Sequence, residues 1–425
     1  MSASDTKPIE TADVVILGGG AAGVFAAANL GQMAAGIRIL ILEQGREVLQ
    51  KVKISGGGRC NVTHACWEPA DLVKYYPRGE KELLGPFHKF ACGDTVAWFE
   101  ERGVPLKVEA DGRMFPVSDD SASIVDNLVK NAKKAGTKIY TSHKVNTVNV
   151  IPDGYEVECP NLSIRCKQLL VATGSSVSFW KLLQSLGYEI VPPVPSLFTF
   201  HIQDKALHHL MGLSVTDVVL TSKEMSLKSS GPMLITHWGI SGPAVLKMSA
   251  AGARLMHESK YHFDLEIGWT PGLTSEDIAD FRKQKGSATV GGQSPVSLPS
   301  RLWKYLVTRA GIGHDKKWAE LSKVELENIT TVLTRDVHKV NGKSTFKEEF
   351  VTAGGVDLRQ INFSTFESRL HTGMYFAGEV LDIDAVTGGF NFQAAWTGAY
   401  LASKAIANKY KKDNDVSKTQ KKPKE

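Results

Sequence analysis

The sequence predicts an α/β fold whose principal domain is written in two pieces, separated by a β-rich insertion with a helical part. Three observations carry this. Gly18-x-Gly20-x-x-Gly23 follows the short apolar run "VVIL" and opens an alanine-rich stretch. At 191–197, "VPPVPSL" places three prolines within five residues, which marks a domain crossing. After 347, "EEFVTAGGVDL" and "GMYFAGEVLDI" return to the strand-plus-glycine texture of the first part. The expected divisions are 1–190 with 348–408 for the principal domain, 191–272 for the β-rich part and 273–347 for the helical part. Residues 409–425 hold seven lysines against Asp413, Asp415 and Glu425, and are expected to be a basic, disordered tail.

Taken in order, "ADVVILGGGAAGVFAAANL" reads as strand, turn and helix, and "GIRILILEQG" as a second strand ending at Glu43, one βαβ unit. A glycine loop follows at 55–58. Helices are expected at 94–102 and 121–135, with Asp94 and Ser121 as N-caps and Gly136 as a stop. "KIYTSHKVNTVNVI", "GYEVEC" and "SIRCKQLLVATG" read as a small antiparallel sheet, with "QLLVATG" returning to the main sheet as a buried strand. In the insertion, "SVTDVVLTSK" and "YHFDLEIGW" are β-like, and polar helices are expected near 274–285, 300–310 and 322–338.

The glycine spacing has a specific chemistry. The first glycine makes a tight turn, the second lets a pyrophosphate approach the backbone, and the third lets helix and strand pack closely. The helix N-terminus offers free N–H groups to phosphate. Glu43 lies 20 residues past Gly23, at the end of the second strand, where a carboxylate accepts from ribose hydroxyls. An acid there disfavours the extra phosphate of NADP and leaves NAD or the ADP half of FAD. Two further glycine-ended strands, "LLVATG" (169–174) and "MYFAGE" (374–379), return to the same sheet, and this favours FAD.

The segments "VVILGGGAAG", "KISGGGRCNVT", "THWGISGPAVL" and "GEVLDIDAVTGGFNFQAAWTGAYLA" together resemble the YhiN/BaiN-like flavoproteins, also called aminoacetone-oxidase-like or HI-type. The resemblance runs from about Asp13 to about Ala407 with the motifs in the family's order. It implies a glutathione-reductase-like FAD-binding Rossmann domain in two sequence pieces, non-covalent FAD, and an inserted β-rich, barrel-like part with a helical subdomain. It also implies roles by position. Gly18, Gly20, Ala21, Ala22 and Gly23 would hold the pyrophosphate, and Glu43 with Gln44 the adenosine ribose. Lys53, Gly56, Gly57, Gly58, Arg59, Cys60 and Asn61 would form the second wall beside phosphates and flavin. Ala172, Thr173 and Gly174 would border the adenosine, and Gly378 and Glu379 the ribityl and phosphate region. Thr387, Gly388, Gly389, Phe390 and Asn391 would lie against the pyrimidine end of the ring. Relatives often carry tyrosine where this chain has Phe390, so a hydroxyl is missing there.

Each reactive residue has a plainer reading. Cys60 is read first as a small packing residue and second as a thiolate nucleophile activated by its loop. Arg59 either neutralises a phosphate or forms an ion pair. His237 in "THWGISGP" is an acid or base facing substrate, or a hydrogen-bonded structural histidine. Trp238 reads as core and His64 as structural.

Composition excludes several classes. Apolar residues make up 42% and charged residues 22%, the balance of an ordinary globular protein. The five cysteines form no C-x-x-C pair, so no zinc site or disulfide framework is expected, and a reducing compartment fits. The first twelve residues lack the pattern of a secretory leader, and no apolar run approaches the ~20 residues of a membrane helix. A cytoplasmic protein is expected.

A flavin carries hydride and electron chemistry while the protein supplies binding and orientation. The insertion has no second G-x-G-x-x-G, so NAD(P)H as reductant would dock transiently in the substrate cleft. The leading reading is an NAD(P)H-dependent reductase of a C=C acceptor, because proteins resembling this one are linked to dihydrouridine formation in large-subunit ribosomal RNA and to enone reduction. Arg282, Lys283, Lys285, Arg301, Lys304, Arg309, Lys316 and Lys317 are compatible with an RNA partner or with solvated helix faces. The alternatives are an oxygen-dependent amine oxidase and a flavin-binding protein without catalysis.

Overall fold

The computed structural model describes residues 8–344 and 351–420, with side chains up to 415. Two compact units divide the chain: Met1–Pro193 with Val351–Glu425, and Val194–Phe350. The first division falls inside the strand Ile190–Ser196, which pairs with Val351–Val356. The expected return at 347/348 and the tail residues 421–425 lie outside the described residues.

The first unit is built on a parallel sheet. Ile9–Leu17 lies between Ile39–Leu42 and Leu162–Val171; Lys138–Tyr140 extends one side and Met374–Phe376 the other. Val14, Val15, Ile16 and Leu17 are all but inaccessible to solvent, which is why the run is unbroken rather than alternating. The register aligns the carboxyl ends: Leu17 pairs with Leu42 and with Val171, Leu42 with Tyr140, and Val171 with Phe376. Helix Ala21–Met33 is small-residue rich and packs against the long helix Phe390–Gln420, whose Ser403 hydroxyl donates to the Ala26 carbonyl (3.1 Å).

The second unit contains a closed six-stranded barrel in the order Thr199–Ile202, Gly239–Ser241, Leu227–Thr236, Ser214–Ser222, His262–Gly268 and Asp336–Ser344. Phe200, Leu220, Met233, Leu265 and Ile267 belong to its buried core. Helices Ser275–Lys285, Ser300–Arg309 and Lys323–Arg335 form the helical part, with Trp303 stacked on Trp318 at 6.2 Å.

Four local expectations change. Lys138–Tyr140 is a parallel edge strand of the main sheet, not part of the antiparallel meander, because helix Ala122–Lys134 is a crossover that returns the chain beside Ile39–Leu42. The helix expected to 338 ends at Arg335. There the barrel strand begins with inverted polarity: Asp336 and His338 are buried and Val337 exposed, so hydrophobic alternation conceals it. Asp94 lies within helix Cys92–Glu100, where its carboxylate accepts from the Ala91 amide (2.7 Å). The final helix continues through 409–420, where disorder was expected; glycine and proline are missing from that stretch, so nothing stops the helix.

Candidate flavin-binding site

The aligned carboxyl ends place the motifs together, as expected of a ligand crevice in a doubly wound sheet. Leu17 leads into Gly18, Leu42 into Glu43, Val171 into Ala172, and Phe376 through Ala377 to Gly378. At Gly18, φ is +104°, and an added Cβ would stand 2.3 Å from the Ala172 carbonyl oxygen, so the turn tolerates no side chain. A Cβ on Gly23 would meet the Gly18 oxygen at 2.0 Å. At Gly20 an added Cβ meets nothing within 4 Å, which leaves the middle of the turn open. Helix Ala21–Met33 has no side-chain cap and no acid in its first turn, so its leading N–H groups are free to bind an anion.

Glu43 anchors the edge. Its carboxylate accepts from the Gly19 amide (2.7 Å) and the Gly45 amide (2.6 Å), and its own amide donates to the Tyr140 carbonyl (2.8 Å). A cavity of about 250 Å³ opens beside it, lined by Gly18, Glu43, Gln44, Asn146, Thr173 and Phe179, among others. Thr173 Oγ1 is buried there without a hydrogen-bond partner among the described residues, and a nucleotide can satisfy it. The residues present thus fit the adenosine and pyrophosphate of FAD. Sequence reasoning missed the segment His143–Asn146 and the helix Val177–Ser185, both of which line this cavity. Reading "KIY" as a parallel strand would have brought the first of these to the same edge.

The second wall differs in detail from expectation. The helix beginning at Gln50 breaks at Ser55 (ψ 152°), and Gly56, Gly57 and Gly58 follow with φ of +58°, +68° and +84°. Cys60 also has positive φ (+62°) and is buried in the core; burial pushes its thiol up to about 12, so it is a packing group and a poor nucleophile. Arg59 is engaged by Glu109 (2.6 Å) and Asp119 (3.4 Å) and lies over the Phe115 ring at 4.0 Å, the ion-pair alternative. With its amide nitrogen toward the carbonyls of Thr63 (3.0 Å) and Met114 (3.2 Å), Asn61 accepts from the Gly389 amide (3.0 Å). It therefore ties the glycine loop to the 387–391 turn. Lys53 is exposed and stands 3.7 Å from Glu47, whereas Lys51 reaches Glu379 at 2.6 Å.

The 384–391 turn is held by residues that sequence reasoning did not single out. Arg78 binds the buried Asp384 through two guanidinium nitrogens. The Tyr76 hydroxyl donates to the Phe390 carbonyl (2.6 Å), and the Val386 amide to the Tyr75 carbonyl (3.0 Å). Asn391 both accepts from the Ala385 amide (2.9 Å) and donates to its carbonyl (3.1 Å). Phe390 stacks with Tyr75 (4.2 Å between centroids) and with His64 (4.6 Å). Thr387, Gly388 and Gly389 thus precede a helix start fixed on several sides, and Gly389 abuts the Thr63 carbonyl too closely for any side chain.

In the second unit, His237 and Trp238 form the turn between barrel strands Leu227–Thr236 and Gly239–Ser241. His237 is exposed and Trp238 half-buried, so Trp238 is not the core residue expected. Of the cations considered for RNA, Lys316 pairs with Glu325, Lys283 with Asp280, and Arg309 with Asp336 and Asp204. Arg282 donates to the Ala319 carbonyl. No metal-binding cluster and no membrane-crossing helix occur among the described residues.

The open glycine turn, the Glu43 edge and the cavity beside them suit a dinucleotide, and comparison with known proteins gives the class: an FAD-dependent oxidoreductase. Comparison with known proteins narrows it, for the chain belongs to the HI0933-like protein Rossmann domain family, matched over residues 12–405. It is 31% identical over 409 residues to the ribosomal RNA dihydrouridine synthase of Haemophilus influenzae, covering 92% of this chain and 98% of that protein. It is 26% identical over 413 residues to the 3-dehydro-bile acid delta(4,6)-reductase of Clostridium scindens, covering 93% and 98%. Among solved structures, the 3-ketosteroid-delta4-(5alpha)-dehydrogenase of Rhodococcus jostii shares the fold at a TM-score of 0.50 and 13% identity, covering 94% of this chain and 97% of that one.

Proposed function

We propose that this chain is a cytoplasmic, NAD(P)H-dependent reductase of a carbon–carbon double bond, with uridine in large-subunit ribosomal RNA as the substrate. The observation that supports it most is near-full-length similarity to a relative named as a ribosomal RNA dihydrouridine synthase. A second relative named as a delta(4,6)-reductase acts on a different molecule, and saturation of C=C is the chemistry common to both names.

When bound, FAD supplies hydride acceptance from the reductant and hydride donation to the acceptor. The chain supplies the rest. Gly18–Gly23 and the N-terminus of helix Ala21–Met33 would hold the pyrophosphate, and Glu43 would accept from the ribose hydroxyls. Thr173 and Gly174 border the adenosine. The start of helix Phe390–Gln420 would offer the partial positive charge of its dipole to the pyrimidine end of the ring. Gly57 and Gly58, with no neighbour near an added Cβ, let backbone approach the cofactor. Saturating a double bond needs a proton at one carbon and a hydride at the other; His237 is the candidate acid.

The test is anaerobic. NADPH or NADH should bleach the bound flavin, and ribosomal RNA lacking the modification should restore the oxidised spectrum while gaining dihydrouridine. A strain without this chain should lack a dihydrouridine in its large-subunit RNA. Unchanged RNA in that strain sinks the RNA reading; reoxidation by a steroid-like enone and not by RNA points to the small-molecule acceptor. Bleaching by a primary amine without nicotinamide, with peroxide formed in air, replaces the reductase with the oxidase.

A further inference from the structure

We propose that Lys51 and Glu379 form a clasp across the FAD pyrophosphate, closing the cradle that the glycine turn leaves open. The inference rests on the FAD reading above and assigns a part to Lys51, which reaches Glu379, whereas Lys53 stands beside Glu47.

The two partners approach from opposite flanks of the Gly18–Gly23 turn. On one flank, the Leu49 amide donates to the Gly19 carbonyl (2.8 Å), and an added Cβ on Gly19 would stand 2.5 Å from Val48. Lys51 lies two residues further on, at the start of the helix from Gln50. On the other flank, an added Cβ on Gly378 would stand 3.2 Å from the Ala22 Cβ, so the late segment rests on the first turn of the dinucleotide helix. Glu379 follows; its Oε1 accepts from the Thr352 amide (3.1 Å), and its Oε2 lies 3.8 Å from an added Cβ on Gly174 and 2.6 Å from Lys51 Nζ.

The contacts close a ring: Gly19, Leu49, Lys51, Glu379, Gly378 and Ala22, returning along the turn through Gly20 to Gly19. An added Cβ on Gly20 meets nothing within 4 Å, so this arc of the ring is open. A pyrophosphate drawn to the helix N-terminus would therefore sit under the ion pair. The Lys51 side chain is 58% exposed and that of Glu379 21%, so the pair contributes little to folding by itself. Its consequence is kinetic: the cofactor leaves only when the clasp opens, and the ammonium adds positive charge above the phosphates.

The experiment measures FAD release from the full-length holoprotein by the recovery of free-flavin fluorescence on dilution. Lys51→Met and Glu379→Gln should each release FAD about fivefold faster than the parent, an effect the size of one partly exposed charge pair. The charge-swapped Lys51→Glu/Glu379→Lys protein should return to within about twofold of the parent rate, because it restores the clasp with the signs exchanged. Unchanged release from Lys51→Met overturns the clasp. So does a swapped protein that loses FAD as fast as the single variants, since that makes each side chain a separate ligand of the cofactor. If the parent protein binds no FAD at all, the cofactor reading falls and the clasp with it. Lys51 is exposed and Glu379→Gln keeps an acceptor for the Thr352 amide, so melting temperatures of the FAD-free single variants should match the parent and show that folding is intact.

Discussion

Arg78 and Asp384 form a buried ion pair that joins the turn after Tyr76 to the segment entering the C-terminal helix, across 306 residues of sequence. The Asp384 side chain is inaccessible to solvent and that of Arg78 is 13% exposed. Removing one partner leaves a charge buried beside the other's former position. Arg78→Met should lower the unfolding free energy by about 3–5 kcal/mol, read in urea or by thermal melting. It should also lower flavin retention, because the same turn carries Thr387–Phe390. A melting curve and flavin content equal to the parent's would show that the pair holds nothing in place.

Glu43→Ala removes the acceptor of two backbone amides, those of Gly19 and Gly45, as well as the expected ribose contact. FAD affinity should fall at least about tenfold, the scale of a lost charge-assisted hydrogen bond. Glu43→Gln keeps an acceptor oxygen for one amide and should fall between. Titration of FAD into the FAD-free protein, followed by flavin fluorescence, reads both. Retention of full affinity by Glu43→Ala would contradict the assignment of this edge to the cofactor.

These residues divide by how far their partners lie along the chain. Gly18, Gly20, Gly23 and Glu43 are legible because one βαβ unit contains the whole device, and spacing alone sets its geometry. Arg78, Tyr76 and Asp384 are illegible because their partners are brought together only when the late piece returns to the sheet. Lys51 and Lys53 look alike in sequence; which one reaches Glu379 depends on the rotation of a helix barely one turn long before Ser55 breaks it. Arg59 sits among glycines in sequence, and its contacts with Glu109 and Phe115 come from a hairpin some fifty residues on, which no local pattern announces. The barrel strand after Arg335 hid for another reason: its inward positions are Asp336 and His338, which satisfy each other (2.7 Å) and Arg309 rather than filling an apolar core.

Burial raises Cys60 to about 12, Cys92 to about 11 and Cys166 to about 12, from an ordinary 9.0, and it raises Cys66 as well. A raised folded-state pKa means that the folded protein holds the proton more tightly than the unfolded chain. The resulting stability is complete below about pH 9 and is lost as pH rises through 11 to 12. The urea midpoint should therefore fall steadily above pH 9, and Cys60→Ala should flatten part of that fall. Alkylation of the native protein at pH 8 should mark Cys66, the one cysteine that is not fully buried, before the others. Early labelling of Cys60 would restore it as a reactive thiol.

Arg59→Lys separates the two roles left open for that arginine. Its guanidinium binds Glu109, reaches Asp119 and covers the Phe115 ring, and the Glu109 hydrogen bond holds it further toward the charged form. Lysine keeps the charge but loses the planar stacking and the forked donors. If Arg59 serves only to pin the glycine loop to the hairpin, Arg59→Lys should lower the melting temperature modestly and leave FAD affinity within about twofold once the protein is folded. Glu109→Gln should then give at least that modest loss of melting temperature, because it weakens the contact with Arg59 and also the pair with Arg113 (3.1 Å). A large drop in FAD affinity for Arg59→Lys with none for Glu109→Gln would mean that the arginine leaves Glu109 for the cofactor's phosphates. The hairpin contact would then be a resting position rather than the purpose of the residue.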